Sequence, residues 1–247
     1  MLHIDSLTYR IGGRVLLENA TANFPSGHKV GLVGRNGTGK STLLRLIMGE
    51  LEADSGNINL QRDTRVGIVA QQTPEGDRTP RDFVLEADTE YSALLVEAET
   101  AEDPNRISEI HSRLADIGAE TAPARAAAIL AGLGFDEDAQ HRPMGTFSGG
   151  WRMRVALAAT LFLAPELLLL DEPSNHLDLE TRLWLESHLA SYQGTVVLVS
   201  HDRHLLRNTV DQFWLVSDGA VQEYDGDLED YERWLAERRK DDDEPPK

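Results

Sequence analysis

Two hydrophobic patterns alternate along the chain: short apolar runs typical of buried strands, and apolar positions repeated at helical spacing. They predict strands over residues 2–11, 15–24, 29–33, 56–60, 65–70, 167–170, 195–199, 213–216 and 220–224. They predict helices after residue 41, from Ser148, and over residues 80–99, 106–117, 122–132, 179–191, 203–209 and 228–240, with a loop over 136–147. Because buried strands alternate with helices, we expect an α/β fold with a mainly parallel core sheet, an antiparallel N-terminal β layer and a helical insertion.

The domain organisation follows from length and from a shift in composition. A length of 247 residues fits one large domain or two small ones. Helix-forming residues dominate from Pro80 to about Leu133, which indicates a helical subdomain or insertion over approximately residues 73–165. We expect a single domain over residues 1–240. The end of the chain, residues 241–247, consists mostly of acidic residues and prolines, and we expect it to be disordered.

The composition is that of a soluble globular protein, with 40% hydrophobic and 27% charged residues. No apolar run approaches the roughly 20 residues that span a bilayer, and the N-terminus lacks the basic and apolar regions of a signal peptide. The chain has no cysteine, which excludes disulfides and thiolate metal sites. These features indicate a cytoplasmic protein without direct membrane insertion.

The net charge bears on possible partners. It is −18, from 24 basic and 42 acidic residues. A free-standing nucleic-acid binder usually carries a basic excess, so we expect no DNA partner. The net charge does not exclude a local basic patch.

One glycine-rich segment has the spacing of a phosphate-binding loop. It begins at Gly34 and ends in Gly39-Lys40-Ser41, between a predicted strand and a predicted helix. Backbone N–H groups of such a loop surround phosphate oxygens, Lys40 reaches the β- and γ-phosphates, and the Ser41 hydroxyl can ligate Mg²⁺. The candidate phosphate-binding residues are Gly34, Arg35, Asn36, Gly37, Thr38, Gly39, Lys40, Ser41 and Thr42. A chance match is the alternative, but the strand–loop–helix context is what the motif demands.

Two carboxylates end the apolar strand over residues 167–170. A carboxylate at the C-terminal end of a strand, beside a phosphate-binding loop, lies where such sheets hold a nucleotide with Mg²⁺. Asp171 is therefore a candidate metal ligand. Glu172 is a candidate to position or deprotonate an attacking water. The alternative is that this Asp-Glu pair forms an ordinary turn or helix cap.

Three further features carry little information in isolation. Ser148-Gly149-Gly150 precedes a predicted helix, and serine is a good N-cap. Gln71 follows the strand over 65–70, and His201 follows the strand over 195–199. Each of them alone has an ordinary structural interpretation.

The order of these features resembles the ATP-binding cassette (ABC) ATPases along the full length of the chain. The resemblance implies a P-loop NTPase fold that binds ATP and Mg²⁺. It implies that Gln71 contacts Mg²⁺ and the attacking water and that His201 contacts the γ-phosphate. It makes Ser148–Gly150 the signature motif and Asp178 the aspartate of the D-loop.

Four segments narrow the resemblance to class F, the soluble ABC-F proteins. They are Asp171-Glu172-Pro173-Ser174-Asn175-His176-Leu177-Asp178, Ser200-His201-Asp202-Arg203, Tyr224–Tyr231 and Phe147–Arg154. The last resembles a subset of class F that includes the bacterial YheS-like branch. The class implies an ATP-hydrolysing cassette of a ribosome-associated translation factor, with ribosome, rRNA or tRNA contact through the parent protein. Two alternatives stay open: the motor subunit of a membrane ABC transporter, and a nucleotide-gated dimerisation module with little turnover.

The chain departs from the class F pattern in its length. Class F chains usually carry two cassettes joined by a long linker, whereas this chain has one cassette and ends where the linker begins. It resembles an N-terminal half. The implied partner is therefore a second cassette, either the C-terminal half of the parent chain or a second copy in an ATP-dependent homodimer.

Two other positions leave alternatives open. Ile11 stands where many cassettes stack an aromatic side chain on adenine, and Tyr9 is either its substitute or a core residue. The helical insertion carries basic residues that belong either to a solvated face or to a ribosome-contacting arm. They are Arg78, Arg81, Arg106, Arg113, Arg125 and Arg142.

Overall fold

A computed structural model describes residues 2–62, 64–69, 76–175 and 177–243. The chain divides into two compact units. Unit 1 comprises Met1–Ile68, Glu166–Asn175 and Glu186–Lys247, and unit 2 comprises Val69–Pro165 and His176–Leu185. Within the described ranges, no helix is both long enough and apolar enough to cross a membrane.

The strands are β1 (Leu2–Ile11), β2 (Arg14–Phe24), β3 (Lys29–Val33), β4 (Ser55–Leu60), β5 (Val66–Ile68), β6 (Leu167–Asp171), β7 (Thr195–Val199), β8 (Gln212–Ser217) and β9 (Ala220–Tyr224). The helices are α1 (Lys40–Ile47), α2 (Pro80–Glu86), α3 (Thr89–Thr100), α4 (Pro104–Asp116), α5 (Ala122–Gly132), α6 (Glu137–Gln140), α7 (Gly149–Phe162), α8 (Leu179–Ala190), α9 (Arg203–Thr209) and α10 (Leu228–Asp243).

Unit 1 contains both sheets. One has six strands in the order β5-β6-β7-β3-β8-β9, parallel except for the hairpin of β8 and β9. The other is antiparallel, in the order β2-β1-β4. The predicted α/β fold with a mainly parallel core sheet and an antiparallel N-terminal layer is therefore confirmed. Because β3, β6 and β7 are parallel neighbours, their C-terminal ends lie at one edge of the sheet.

One hydrophobic cluster of unit 1 joins side chains from both sheets and from α1. Phe24 of β2 and Trp214 of β8 meet in it, with ring centroids 4.8 Å apart. The aliphatic strands β6 and β7 are buried along nearly their whole length, as expected for strands covered on both faces.

A bulge in β1 changes which side chains face the core. Leu2 and Ile4 are buried, and the next buried apolar residue is Leu7, so the alternation changes phase. Register shifts occur in this part of β1, and Ser6 adopts a left-handed φ of 49°. Gly56 faces the bulge, where a Cβ would lie 2.4 Å from the carbonyl oxygen of Ser6. The sequence predicts an uninterrupted alternation over residues 2–11, because a bulge leaves no simple mark in a hydrophobic pattern.

The helices of unit 2 correct three sequence predictions. The helix predicted over residues 80–99 is two helices, because the side chain of Asp88 accepts from the N–H of Tyr91 and starts α3. The helix predicted over residues 106–117 begins two residues earlier, because Pro104 occupies the first turn of α4, where its missing N–H has no cost. The predicted loop over 136–147 contains the short helix α6 and a 3₁₀ turn at Met144–Thr146.

Helices α7 and α10 lie where the sequence predicts them, except that α10 extends further at its C-terminal end. Helix α7 begins directly after Ser148 and is buried nearly all round in its second half, as predicted. Helix α10 ends at Asp243, three residues beyond the predicted residue 240. An acidic run contains no helix stop, and the first stop signal in the sequence is Pro245. The expectation of disorder over 244–247 lies outside the described residues.

Candidate functional site

The phosphate loop, Gly34–Ser41, joins the C-terminal end of β3 to the start of α1. Three of its glycines have positive φ: Gly34 at 153°, Gly37 at 80° and Gly39 at 105°. At Gly34 the requirement is also steric, since a Cβ would lie 2.3 Å from the carbonyl oxygen of Val216. Glycine therefore lets the loop pass close to β8.

Lys40 is the cation of this loop and is only 9% exposed. Its Nζ donates hydrogen bonds to the carbonyl oxygens of Gly34, at 2.7 Å, and Arg35, at 3.0 Å. Burial lowers the pKa of Lys40, while the charges of Glu172 and Asp171 act in the opposite direction. The ammonium group is thus held among oxygen atoms next to two carboxylates, in a setting suited to polyphosphate.

The turn after β6 places Glu172 in an unusual conformation. Its φ is 51°, which is uncommon for a residue with a side chain. Its N–H donates to the carbonyl oxygen of Val199 at 2.8 Å, and its carbonyl accepts from the N–H of Asn175 at 3.1 Å. The backbone does form the tight turn considered from the sequence. Non-glycine residues in this conformation cost about 1–3 kcal/mol and cluster at functional sites.

His201, which follows β7, contacts both the turn after β6 and the phosphate loop. Its backbone N–H donates to Oε2 of Glu172 at 3.2 Å. Its Nε2 lies 3.1 Å from Oδ1 of Asn36 in the phosphate loop and 3.6 Å from Oε1 of Glu172. Nε2 thus faces two oxygen atoms, one at hydrogen-bond distance and one just beyond it.

These segments line an open cavity of about 430 Å³, here called the phosphate-loop cavity. Its lining comprises Leu16, Asn36, Gly37, Gly39, Lys40, Ser41, Thr42, Asp171, Glu172, Asn175, Val199 and His201. Residues predicted separately as phosphate, metal and catalytic groups thus share one cavity. Sequence reasoning did not identify Leu16 and Val199 as lining residues, because an apolar strand residue carries no chemical motif, and it placed Asn175 in the class F segment without assigning it to the site.

The donor set of this cavity suits a hard divalent cation. Ser41 contributes a hydroxyl oxygen and Asp171 a carboxylate, and both line the same cavity. Mg²⁺ prefers oxygen ligands and is usually bound through one or two protein groups together with substrate phosphates. The residues present therefore fit Mg²⁺ bound with a nucleotide.

The signature segment, Ser148–Gly150, belongs to unit 2. Ser148 occupies the N-cap position of α7 but makes no side-chain capping hydrogen bond, which the ordinary structural interpretation would require. Ser148 and Gly149 are exposed, and a Cβ at Gly149 would meet no atom within 4 Å. The first-turn N–H groups of α7 are thus available at an open helix N-terminus.

Asp178 lies just before α8, also in unit 2. Its Oδ1 accepts from the N–H of Thr181 at 2.9 Å, and its Oδ2 pairs with Nη1 of Arg154 at 3.2 Å. The hydrogen bond from Thr181, together with Arg154, lowers the pKa of Asp178 to about 2. The carboxylate is therefore ionised at neutral pH.

Among the described residues predicted for the nucleotide site, Tyr9, Gly34, Arg35 and Thr38 do not line the phosphate-loop cavity. Tyr9 is half-buried and packs against the hydrophobic cluster of unit 1, as its core interpretation requires, while Ile11 is 50% exposed. A contact between Tyr9 and adenine stays a prediction. Gln71 lies outside the described residues, as does His176 of the class F pattern.

The basic residues of unit 2 are largely engaged within the unit. The ion pairs are Arg78 with Glu86, Arg106 with Glu97 and Glu109, and Arg113 with Glu90. Arg125 lies over the ring of Phe162, and Arg142 lies over the ring of Phe147. This local neutralisation favours the solvated face over the ribosome-contacting arm.

Comparison with known proteins gives concordant results. The Escherichia coli (strain K12) protein named "Probable ATP-binding protein YheS" is 44% identical over 241 residues, which is 96% of this chain and 38% of that protein. Mouse "ATP-binding cassette sub-family F member 3" is 40% identical over 249 residues, which is 96% of this chain and 34% of that protein. The chain thus spans little more than a third of these relatives.

A solved structure described as "Structure of ATP binding subunit of ABC transporter" shares the fold. Its TM-score is 0.71 at 20% identity, with 96% of this chain and 93% of that chain covered. Residues 17–175 match the family described as ABC transporter, and this match covers more than half of the chain. The chain therefore belongs to the ABC transporter family, as an ATP-binding cassette similar to those of class F.

Proposed function

We propose that the chain binds MgATP and hydrolyses it to ADP and phosphate, as the ATPase cassette of a longer class F protein. The observation that carries the proposal is the convergence of Lys40, Ser41, Asp171, Glu172 and His201 on one cavity. A cation, two oxygen ligands, a carboxylate base and a proton donor are the groups that phosphoryl transfer to water uses. The experiment is a measurement of phosphate release from ATP by the purified chain, with and without Mg²⁺.

Binding of the triphosphate is assigned to the phosphate loop. Its N–H groups and Lys40 contact the β- and γ-phosphates, and Lys40 exchanges its bonds to Gly34 and Arg35 for phosphate oxygens. Ser41, Asp171 and Gln71 are the assigned ligands of Mg²⁺. The bound ion would neutralise phosphate charge and polarise the phosphoryl oxygens.

Hydrolysis is assigned to Glu172 and His201. Glu172 orients a water on the γ-phosphorus and accepts its proton as the water oxygen bonds to phosphorus and the bond to the β-phosphate oxygen breaks. His201 donates its Nε2 proton as a hydrogen bond to a γ-phosphate oxygen. The contact of Nε2 with Asn36 and the nearby Glu172 oxygen supports this assignment, because they hold the ring at the cavity.

A second cassette is the proposed partner. The signature segment and Asp178 belong to unit 2, and in the resembled family the signature of one cassette closes over the phosphate loop of another. The exposed, uncapped N-terminus of α7 is consistent with such a contact. We therefore expect slow turnover by the chain alone.

The proposed cellular role is in translation, in the cytoplasm and on the ribosome, through the parent protein. Its support is the similarity to class F proteins at 40–44% identity. Because arginines of unit 2 are already paired with glutamates, we expect the RNA contacts to lie in other parts of the parent protein. Co-sedimentation of the parent with ribosomes, with and without ATP, tests this role, whereas co-purification with a membrane protein would favour a transporter motor subunit.

A further inference from the structure

Arg154 of α7 is a buried cation inside unit 2, with 7% of its surface exposed. Its Nη1 lies 3.2 Å from Oδ2 of Asp178 and donates to the carbonyl oxygen of Leu133 at 3.3 Å. Its guanidinium carbon lies 4.4 Å from the ring centroid of Trp151. The guanidinium group is therefore fixed on several sides by groups from three parts of the unit.

The carboxylate of Asp178 divides its two oxygens between two tasks. Oδ1 caps α8 by accepting from the N–H of Thr181, and Oδ2 pairs with Arg154. The side chain as a whole is 59% exposed. One carboxylate at the surface thus joins the start of α8 to the interior of α7.

The surroundings of Arg154 leave it little freedom. Gly134 has a φ of 93°, and a Cβ there would lie 3.1 Å from Nη1 of Arg154. Trp151, one turn before Arg154, packs edge-to-face on Phe135 with ring centroids 4.9 Å apart. This packing connects the first turn of α7, which begins after Ser148, to the ion pair with Asp178.

We propose that Arg154 is a positioning residue that fixes the signature segment relative to Asp178, so that both reach a second cassette in the geometry needed for hydrolysis. This inference rests on the proposed function. The pair joins a buried guanidinium to an exposed carboxylate, so it adds little stability, but it fixes the direction between its partners. Arg154 joins two segments, 24 residues apart, that the family resemblance assigns to the same partner.

The test compares three variants of the chain: Asp178→Asn, Arg154→Met and the double variant. The amide in Asp178→Asn keeps an oxygen to cap α8 but loses the charge, and the thioether in Arg154→Met keeps an apolar stem without the guanidinium. Arg113→Met is the matched control, because it breaks an exposed ion pair with Glu90 elsewhere in unit 2. Thermal unfolding identifies the variants that remain folded.

Two readouts separate positioning from mere folding. Amide hydrogen exchange should rise over residues 148–154 in Asp178→Asn and over residues 178–182 in Arg154→Met, that is, on the far side of the broken pair. kcat for ATP should fall about tenfold in each variant with the affinity for MgATP unchanged, because a misplaced partner slows the step without touching the phosphate loop. The double variant should match the slower single variant.

The proposal is overturned if hydrogen exchange rises only at the substituted residue. It is also overturned if the folded variants keep a kcat within about twofold of wild type, because misplacement of catalytic groups lowers rates by factors of up to about a hundred. Additive losses in the double variant would also overturn it. If the unsubstituted chain binds MgATP but releases no phosphate, the proposed ATPase function fails. The exchange measurement then still decides whether Arg154 couples the two segments.

Discussion

The ammonium group of Lys40 donates a hydrogen bond to the carbonyl oxygen of Gly34, at 2.7 Å, across the loop to which both residues belong. The carbonyl oxygen of Gly34 is a hydrogen-bond acceptor for the buried ammonium group of Lys40. In the phosphate-loop motif, a phosphate oxygen of the bound nucleotide takes this role. The same burial lowers the pKa of Lys40, because a charged group loses hydration there. Ligand binding is therefore an exchange of one oxygen partner for a more negative one.

Lys40→Ala is expected to weaken MgATP binding by about 10- to 100-fold, the loss of one or two charge-assisted hydrogen bonds. Isothermal titration calorimetry measures the change. Lys29→Ala is the matched control, because Lys29 lies on β3 but does not line the phosphate-loop cavity. Equal affinities of Lys40→Ala and wild type would remove Lys40 from the site.

Binding should also depend on pH through Lys40. The ammonium form is present below the pKa of Lys40 in the folded chain, and burial brings that pKa below the ordinary lysine value. Affinity for MgATP is therefore expected to fall as pH rises through this lowered pKa, sooner than an exposed lysine would allow. The same titration on Lys40→Ala should show no such decline, and a parallel decline in both proteins would contradict the assignment.

Glu172→Gln is expected to retain MgATP binding and to lose turnover by about 10²–10⁴-fold, the usual contribution of a general base. The amide keeps the shape of the carboxylate but cannot accept the proton of water. Phosphate release under saturating MgATP measures the loss, with Glu180→Gln on the exposed surface of α8 as control. Turnover equal to an active wild type would show that another group is the base.

The chemical residues of the site were predictable because each stands in a local motif. Gly34, Lys40 and Asp171 follow from spacing and from the strands before them. The relation of Asn36 to His201 was not predictable, since it joins residues 165 positions apart through the order of parallel strands. Local patterns carry the chemistry of a side chain but not its long-range neighbours.

The same contrast holds for the fold. The strand order was implied only in outline by alternating strands and helices, and the strands β6 and β7 were identified because they are continuous apolar runs. The break before α3 depends on one capping hydrogen bond, which the N–H of Tyr91 donates to the Asp88 carboxylate and which competes with a strongly helical composition. Such a choice is decided by tertiary packing as much as by local propensity.

Gly34→Ala is expected to destabilise the chain by about 2 kcal/mol or more, because its Cβ would lie 2.3 Å from the backbone oxygen of Val216. Gly37→Ala is the matched control. It has a positive φ of 80° but no atom within 4 Å of a Cβ, so only backbone strain of about 1 kcal/mol applies. Urea unfolding measures both. A smaller loss at Gly34 than at Gly37 would contradict the close approach of the loop to β8.

The last prediction concerns self-association of the chain. The proposed function pairs the signature segment of one cassette with the phosphate loop of another, and the sequence contains one of each. We expect a monomer without nucleotide, and a weak two-fold dimer when Glu172→Gln retains MgATP. Weak affinity follows because an isologous interface must be self-complementary, which a surface made for a different cassette is not.

Charge sets the conditions under which this dimer forms. Each copy carries −18, so repulsion opposes association at low salt and is screened above about 0.1 M, where the Debye length is about 10 Å. Light scattering on Glu172→Gln at high protein concentration should therefore show a mass increase that needs both MgATP and moderate salt. Adding Ser148→Glu, which places a like charge opposite the γ-phosphate of the other copy, should abolish the increase without weakening MgATP binding. A strictly monomeric mass under saturating MgATP at every salt concentration would mean that a different, second cassette is indispensable for closing the site.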